Sequence, residues 1–265
     1  MRQHAMQALH AGTVIPAMPL VLDASRHWDE VGQRRIIRYY LAAGVGGLAV
    51  AVHTTQFAIR KPGIDLFEPV LRLAMEEIAA YEERTGRVIV RIAGVCGPTP
   101  QAQREVRLAA SLGYDAVLLS PGGLGAQEEA YLLERTREVA VFLPVIGFYL
   151  QPAVGGRVFT YDYWQALCQI DDVVAIKCAG FDRYLMMDVA RAICYRPRAE
   201  KIAFYTGNDD NIVIDLLTPY VFDDTHKIRV VGGLLGHWAV WTHTAVRMLE
   251  RIRATGEEMP RALLT

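Results

Sequence analysis

The chain has 265 residues, of which 52% are hydrophobic, and its formal net charge is −1 at neutral pH. A chain of this length and composition can bury one large core, and α/β barrels often reach this size undivided. The near-neutral charge and the scattered aromatic residues exclude the basic surface that nucleic-acid-binding proteins present.

Short apolar runs alternate with amphipathic stretches along the whole chain, and this alternation predicts eight strand–helix units. The predicted strands are Ala17–Leu22, Gly47–Val52, Val88–Ala93, Ala116–Leu119, Val145–Tyr149, Val173–Lys177, Lys201–Tyr205 and Ile228–Val231. The predicted helices are Trp28–Ala43, Leu66–Arg84, Pro100–Leu112, Gln127–Ala140, Tyr161–Gln169, Asp182–Ala192, Asn211–Leu217 and Ala239–Arg253. Strict alternation indicates a parallel sheet, and eight strands close a barrel, so we predict a (β/α)8 TIM barrel forming one domain over residues 1–265.

The alternative architecture is an open, doubly wound sheet with a dinucleotide-binding first turn. That turn requires a glycine-rich G-x-G-x-x-G sequence, whereas Leu20–Ser25 contains no glycine. The glycine cluster Gly44–Gly47 precedes a predicted strand, which is the wrong end for a dinucleotide loop. The sequence therefore favours the barrel.

Lys177 ends the almost wholly apolar strand 173–177. Desolvation at such a position disfavours the ammonium form and lowers the pKa of the amine. A neutral amine in an apolar pocket can attack a ketone and form a Schiff base. A lysine that only pairs with an acid at a strand end is the competing interpretation.

Tyr149 ends the preceding strand and lies 28 positions before Lys177 in the chain. Because a strand–helix–strand unit spans about 30 residues, we expect the two side chains at equal heights on neighbouring strands. Tyr149 is then a candidate proton carrier, although a tyrosine at a strand end also serves as packing.

Further polar or glycine residues follow the predicted strands at the end where barrels place their active sites. They are His53, Thr54, Thr55, Gly207, Asn208, Asp209, Asp210, Gly232 and Gly233. His53 could satisfy backbone groups or contact substrate, and Asp209 and Asp210 could bind hydroxyls or cap the next helix.

None of the cysteines forms a C-x-x-C pair, so we expect buried thiols in a reducing compartment and no zinc site. The segment Met1–Leu9 is polar, and the run Tyr39–Val52 is shorter than the ~18 residues of a membrane helix. These features predict a soluble, cytoplasmic protein that binds neither membranes nor nucleic acids.

The chain resembles the dihydrodipicolinate synthase and N-acetylneuraminate lyase superfamily of Schiff-base class I aldolases from about Gly12 to Ala245. The segment Tyr149–Gly156 is similar to the family's Y-N-x-P-x-x-x-G, and Ala175–Ala179 matches the segment that bears the Schiff-base lysine. Weaker likenesses are found in the glycine–valine stretch 44–48 with the following threonine loop, in the third strand at 91–95 and in the fourth strand at 112–121.

The resemblance implies that Lys177 attacks C2 of a 2-oxo acid and that the iminium then acts as an electron sink. It implies Tyr149 as the proton shuttle and Thr54 and Thr55 as the site of the substrate carboxylate. It further implies catalysis without a cofactor or metal, a small-molecule 2-oxo acid as partner, and a homo-oligomer, either dimer or tetramer.

The chain also departs from the family pattern. The family's G-T-T-G-E is replaced by His53–Phe57, and its tyrosine pair after the fourth strand is replaced by Gly122-Gly123. Val154 stands where the synthase branch has an arginine, so lysine biosynthesis is not expected. The segment Gly207–Asp210 resembles the lyase branch's G-x-D-E, whose carboxylates hold substrate hydroxyls.

These observations predict an aldolase or dehydratase that acts on a monocarboxylic 2-oxo acid with a hydroxylated tail. One alternative is a phosphosugar isomerase or synthase that binds phosphate at the loops after strands seven and eight, including Gly232-Gly233. Another is a non-catalytic barrel that binds a 2-oxo acid. His237 and His243 lie six positions apart and suggest packing rather than metal binding.

Overall fold

The computed structural model describes residues 1–197 and 199–255. Its parallel sheet comprises β1 (Val14–Pro16), β2 (Gly47–Val50), β3 (Val90–Val95), β4 (Ala116–Leu119), β5 (Val145–Leu150), β6 (Val173–Ala179), β7 (Ala203–Thr206) and β10 (Gly232–Leu235). The strand order is β1-β10-β7-β6-β5-β4-β3-β2, and a parallel bridge from Ala17 to Ala49 joins the two ends. The predicted (β/α)8 barrel is confirmed.

Helices lie outside this sheet and, from the second helix onward, follow the predicted alternation. They are α1 (Gln3–Ala11), α2 (Glu30–Ala43), α3 (Phe67–Thr85), α4 (Thr99–Ser111), α5 (Glu129–Ala140), α6 (Tyr161–Cys168), α7 (Arg183–Cys194), α8 (Ile212–Leu217) and α9 (Thr242–Ala254). None of these described helices is long and apolar enough to cross a membrane. The predicted domain extends to Thr265, and residues 198 and 256–265 lie outside the described part of the chain.

Helix α1 has no counterpart among the predicted elements. Its residues Ala5 and Leu9 are fully buried and pack against the side chains inside the barrel. The Leu9 carbonyl accepts a hydrogen bond from the Tyr205 hydroxyl at 2.7 Å. Residues 1–9 were interpreted as a polar segment because they contain few apolar residues. Those few lie on one face of the helix, and that is enough to close one end of the barrel.

The first and the last barrel strands were predicted at the wrong residues. Strand β1 ends at Pro16 rather than beginning at Ala17, and Pro19, within the predicted strand, has no N–H to donate to a sheet. Residues 227–228 form the short strand β9, which pairs antiparallel with β8 (Tyr220–Val221) outside the barrel.

The eighth barrel strand instead contains Gly232 and Gly233, two residues of low strand propensity. A Cβ on Gly232 would lie 2.4 Å from the Thr13 carbonyl oxygen, and one on Gly233 would lie 2.6 Å from the Trp238 ring. The close approach of neighbouring segments of the chain thus requires glycine at both positions. Strand propensity does not indicate this requirement.

Buried apolar side chains form two layers, one inside the barrel and one between the sheet and the helices. Along β5, for example, Ile146, Phe148 and Leu150 point inward while Val145 and Tyr149 point outward. The four cysteines are free and buried, as predicted.

Candidate active site at the carboxyl end of the barrel

Lys177 lies on β6 with its side chain inside the barrel near the carboxyl end of the strands. Its neighbours in register are Phe148 on β5 and Tyr205 on β7. The Nζ atom lies 4.3 Å from the centroid of the Phe148 ring, and only 8% of the residue is exposed. Strand geometry therefore presents this amine to the barrel mouth from a rigid and almost wholly apolar support.

Burial lowers the pKa of Lys177 to about 8, and the negative charge of Asp209 partly opposes that effect. Within the described residues the Lys177 amine makes no ion pair and no hydrogen bond, while the Phe148 ring favours its ammonium form through a cation–π contact. At pH 7 roughly one Lys177 in ten is then a neutral amine, against fewer than about one in a thousand for an ordinary lysine. A larger share of this amine is therefore in the neutral, nucleophilic form.

A cavity of about 170 Å³ adjoins Lys177. Its polar lining residues are His53, Thr54, Gln151 and Asp209. The rest of the wall is apolar or glycine: Ala17, Val52, Leu118, Phe148, Leu150, Val154, Ala179, Phe181, Gly207, Leu235 and Gly236. No arginine and no second lysine line it among the described residues, so this site suits one anionic group at most.

Gly207 lines the cavity, and its backbone lies against the lysine side chain. A Cβ at this position would be 2.4 Å from Lys177 Cε and 2.9 Å from the Ala179 Cβ. Any larger residue at 207 would displace Lys177 from its present position, so Gly207 is a steric requirement of the site.

The two predicted aspartates separate in the structure. Asp209 lines the Lys177 cavity, whereas Asp210 faces only a neighbouring groove that His237, Trp238 and Trp241 also line. Gly233 points to the outer side of the sheet, where Trp238 covers it. Of Asp209, Asp210 and Gly233, only Asp209 lines the cavity. The prediction that Asp210 and Gly233 lie there was wrong.

The residues of the loop 53–55 also differ in whether they reach the cavity. His53 and Thr54 line the cavity. Thr55 is fully buried, and its hydroxyl donates to the Met18 carbonyl at 2.6 Å while its N–H donates to the Val52 carbonyl. The prediction that Thr55 offers both groups to a substrate carboxylate is therefore wrong, because backbone carbonyls of the protein already accept both hydrogens.

Tyr149 lies on the outer face of the sheet and does not line the Lys177 cavity. Its ring packs against Trp164 at 5.3 Å and Phe159 at 6.2 Å between centroids. Burial raises the pKa of Tyr149 to about 12, and its hydroxyl has no hydrogen-bond partner among the described residues. The prediction that Tyr149 faces Lys177 is wrong.

A local irregularity between β5 and β6 explains this error. Val145 pairs with Val173, but Ile146 pairs with Ala175, so Val174 is an extra residue in β6. With the first pairing continued, Tyr149 would stand opposite Lys177; after the insertion, Phe148 stands there instead. Since neighbouring residues of a strand point to opposite faces, the inserted residue exchanges the inward and outward side chains of β6 beyond it, so that Lys177 faces inward while Tyr149 on β5 faces outward.

Sequence reasoning missed Phe148, Phe181 and Gln151. Strand alternation could have indicated Phe148 once the register was known, but that register follows from the inserted residue. Phe181 has a left-handed backbone conformation with φ of 54°, which no pattern in the sequence announces.

The phosphate-binding alternative does not fit the eighth strand. Gly232 and Gly233 lie within β10 rather than in a loop, and the Gly233 N–H donates to the Thr13 carbonyl at 3.2 Å. The Gly233 N–H is therefore not free to hold a phosphate. Within the described residues, no group of histidine, cysteine, aspartate or glutamate side chains could hold a metal ion.

No family model matches the sequence, and no curated protein matches it. Solved structures do match the fold. A dihydrodipicolinate synthase from Acinetobacter baumannii, complexed with pyruvate, shares 18% identity at a TM-score of 0.76, with 96% of this chain and 79% of that chain covered. An N-acetylneuraminate lyase from Fusobacterium nucleatum shares 15% identity at a TM-score of 0.73, with 93% and 77% covered.

A third similar structure is a prophage protein of the dihydrodipicolinic acid synthase family from E. coli K12, in complex with pyruvate. It shares 18% identity at a TM-score of 0.74, with 94% of this chain and 78% of that chain covered. The chain thus has the barrel fold seen in structures of the dihydrodipicolinate synthase and N-acetylneuraminate lyase superfamily, as its sequence resemblance predicted.

Proposed function

We propose that this barrel, which shares the fold of the dihydrodipicolinate synthase and N-acetylneuraminate lyase superfamily, is a Schiff-base-forming lyase of that superfamily, acting on a 2-oxo acid. The observation that carries the proposal is Lys177, a buried amine with a pKa of about 8 beside a cavity at the carboxyl end of the barrel. Desolvation without an ion-pair partner is what turns a lysine into a nucleophile near neutral pH.

In the proposed reaction the neutral Nζ attacks C2 of the 2-oxo acid, and the carbonyl oxygen takes up a proton to give a carbinolamine. Loss of water from that carbinolamine forms the iminium. The iminium accepts the electron pair released at C3 when a C3–C4 bond breaks or when C3 loses a proton before β-elimination. No metal and no organic cofactor is required for these steps.

Proton transfer in the cavity falls to residues other than Tyr149. Among the described residues, His53 and Asp209 are the titratable side chains that line the cavity with Lys177. A general acid or base must reach the reacting atom directly or through one water molecule. We assign this role to Asp209, because its charge already acts on Lys177.

The proposed substrate is monocarboxylic and short. A second carboxylate would enter the cavity without a cationic partner, which costs several kcal/mol by order of magnitude. Thr54 can donate its hydroxyl to the first carboxylate, and Asp209 can accept from one hydroxyl of the tail. The apolar walls formed by Phe148, Leu150 and Val154 leave few polar contacts for a longer hydroxylated chain.

Reductive trapping tests the proposal directly. Wild-type protein is mixed with pyruvate and borohydride, and the intact mass is compared with that of Lys177→Ala. Lys61, Lys201 and Lys227 are the other lysines, so peptide mapping identifies the modified residue unambiguously. Lys227→Ala is the matched control, since Lys227 is exposed on β9 outside the barrel.

We expect one reduced pyruvate on the wild type and on Lys227→Ala, and none on Lys177→Ala. Equal trapping by Lys177→Ala, or no trapping on the wild type with a panel of 2-oxo acids, would overturn the proposal.

A second candidate function is a 2-oxo-acid-binding barrel without turnover. The outward position of Tyr149 and the sequestered Thr55 favour it, since both groups are lost to the proposed chemistry. Adduct formation without cleavage or dehydration of any hydroxylated 2-oxo acid would support the binder. Multiple turnover would support the lyase.

The cellular location and the oligomeric state belong to the same proposal. We expect a cytoplasmic protein that associates with copies of itself as a dimer or tetramer, and size-exclusion chromatography with light scattering measures that state directly.

A further inference from the structure

The buried carboxylate of Asp215 accepts hydrogen bonds from the end of β7 and from the loop that follows it. Asp215 lies on α8 and is only 1% exposed. Its Oδ2 accepts from the Thr206 hydroxyl at 2.6 Å and from Asn208 Nδ2 at 3.0 Å, and its Oδ1 accepts from Asn211 Nδ2 at 3.0 Å. Within the described part of the chain it has no ion-pair partner at contact distance, so these neutral donors are its main compensation, and the positive charge of Arg183 adds a smaller one.

This arrangement fixes the orientation of the Asn208 amide. Because Nδ2 donates to Asp215, Oδ1 must point the other way, where it accepts from the Phe181 N–H at 3.0 Å. The Asn208 N–H donates to the Thr206 hydroxyl at 3.1 Å. One carboxylate therefore ties the loop after β7 to the loop after β6.

Both loops form walls of the Lys177 cavity. Gly207 and Asp209 come from the first loop, and Phe181 comes from the second. Gly207 touches the lysine side chain, and Phe181 is held in the left-handed conformation, which a side chain other than glycine adopts at a cost. A strained residue keeps its conformation only while its surroundings hold it there.

We propose that Asp215 is a positioning residue, which through Thr206 and Asn208 fixes Gly207, Asp209 and Phe181 around the Lys177 amine. Asp215 itself does not line the cavity. Its effect on catalysis rests on the Schiff-base function proposed above, but its effect on the two loops does not.

The test compares two isosteric variants at opposite ends of the barrel. Asp215→Asn keeps the shape of the side chain but places an NH2 group among three donors. Asp115→Asn is the matched control, because Asp115 is also a buried carboxylate, 2% exposed, and accepts from Arg2 and the Arg91 N–H at the amino end. Hydrogen exchange and pyruvate trapping are measured for both.

We expect Asp215→Asn to speed amide exchange at 180–182 and 207–210 by about tenfold or more, with strands β2 to β4 unchanged. The maximal rate of pyruvate trapping should fall roughly 10- to 100-fold, with little change in the half-saturating pyruvate concentration, because misplacement of a reacting group acts on the rate. Asp115→Asn should change neither readout.

Unchanged exchange in both loops, or equal changes in the two variants, would overturn the proposal. If Asp215→Asn does not fold, Thr206→Val removes one hydroxyl donor at constant shape, and the same two loops should exchange faster. If wild-type protein traps no 2-oxo acid, the proposed function fails, while hydrogen exchange still decides the role of Asp215.

Discussion

The buried charges at the amino end of this barrel are paired, whereas Lys177 at the carboxyl end has no ion-pair partner among the described residues. At the amino end, Arg2 contacts Asp115 at 2.8 Å and Glu82 at 3.0 Å, and Arg91 also pairs with Glu82. Helix α1 begins just after Arg2, and its apolar residues pack against the side chains inside the barrel at this end. Each charge there has a partner, and the Asp115 carboxylate also accepts from the Arg91 N–H.

At the carboxyl end, the buried charge of Lys177 has no such partner among the described residues. Its nearest compensation is the face of Phe148 and the more distant charge of Asp209. In barrels of this kind the amino end generally stabilises the fold and the carboxyl end carries the chemistry. An unpaired charge costs stability, and under the proposed function that cost prepares a nucleophile.

The largest expected effect comes from Lys177→Met, which removes the unpaired charge at similar volume. Pyruvate trapping should be lost completely. The free energy of unfolding at pH 7 should rise by up to about 3 kcal/mol, because the lowered pKa of Lys177 reflects that much penalty on the ammonium. Urea denaturation measures the change. A destabilised variant would contradict the assignment of Lys177 as a buried charge without a partner.

Asp115→Ala tests the opposite end. We expect a loss of about 2–3 kcal/mol in the free energy of unfolding, below the cost of breaking a fully buried pair because the Arg2 side chain is 37% exposed. The trapping rate of the folded fraction should stay at the wild-type level. Reduced trapping at full folding would show that the two ends are coupled.

The stability difference between wild type and Lys177→Met should depend on pH in one direction. Since the folded-state pKa of about 8 lies below the unfolded value of 10.5, the unfolded state binds more protons between these two values. Wild-type stability relative to Lys177→Met should therefore rise with pH, by about 2 kcal/mol from pH 7 to pH 9.5. Parallel urea titrations of both proteins remove the contribution of the buried tyrosines and thiols.

The smallest expected effects come from two adjacent residues of β5 that face opposite ways. Tyr149→Phe should leave trapping within about threefold of wild type and change stability by no more than about 1 kcal/mol, because its hydroxyl has no partner among the described residues. A proton carrier in the site would instead lose about 10²–10⁴-fold. A loss of that size would show that Tyr149 turns inward.

Phe148→Leu is the matched neighbour on the inner face. Loss of the ring removes a contact that favours the ammonium, so the pKa of Lys177 should fall further below its usual range. The pH dependence of pyruvate trapping reports this shift. An unchanged profile would mean that the ring does not act on the amine.

Much of the architecture could be read from local patterns. Alternation of apolar runs with amphipathic stretches predicted the barrel, and Lys177 was placed at its mouth because every parallel strand ends at the same side. The errors at β1 and β10 concern residues whose role depends on neighbours far along the chain, such as Thr13 beside Gly232.

The sequence by itself determined the strand–helix repeat, the strand that carries the lysine and the glycine that lies against it. The tertiary structure alone decided which side chains meet that lysine. The extra residue Val174 in β6 brought Lys177 to the inner face opposite Phe148, while Tyr149 on the regularly alternating β5 faces outward, and the Thr55 hydroxyl and N–H are bonded to backbone carbonyls. The sequence of one strand shows which of its residues share a face. The register between strands comes from long-range packing, and it decides which residues of neighbouring strands meet at the cavity.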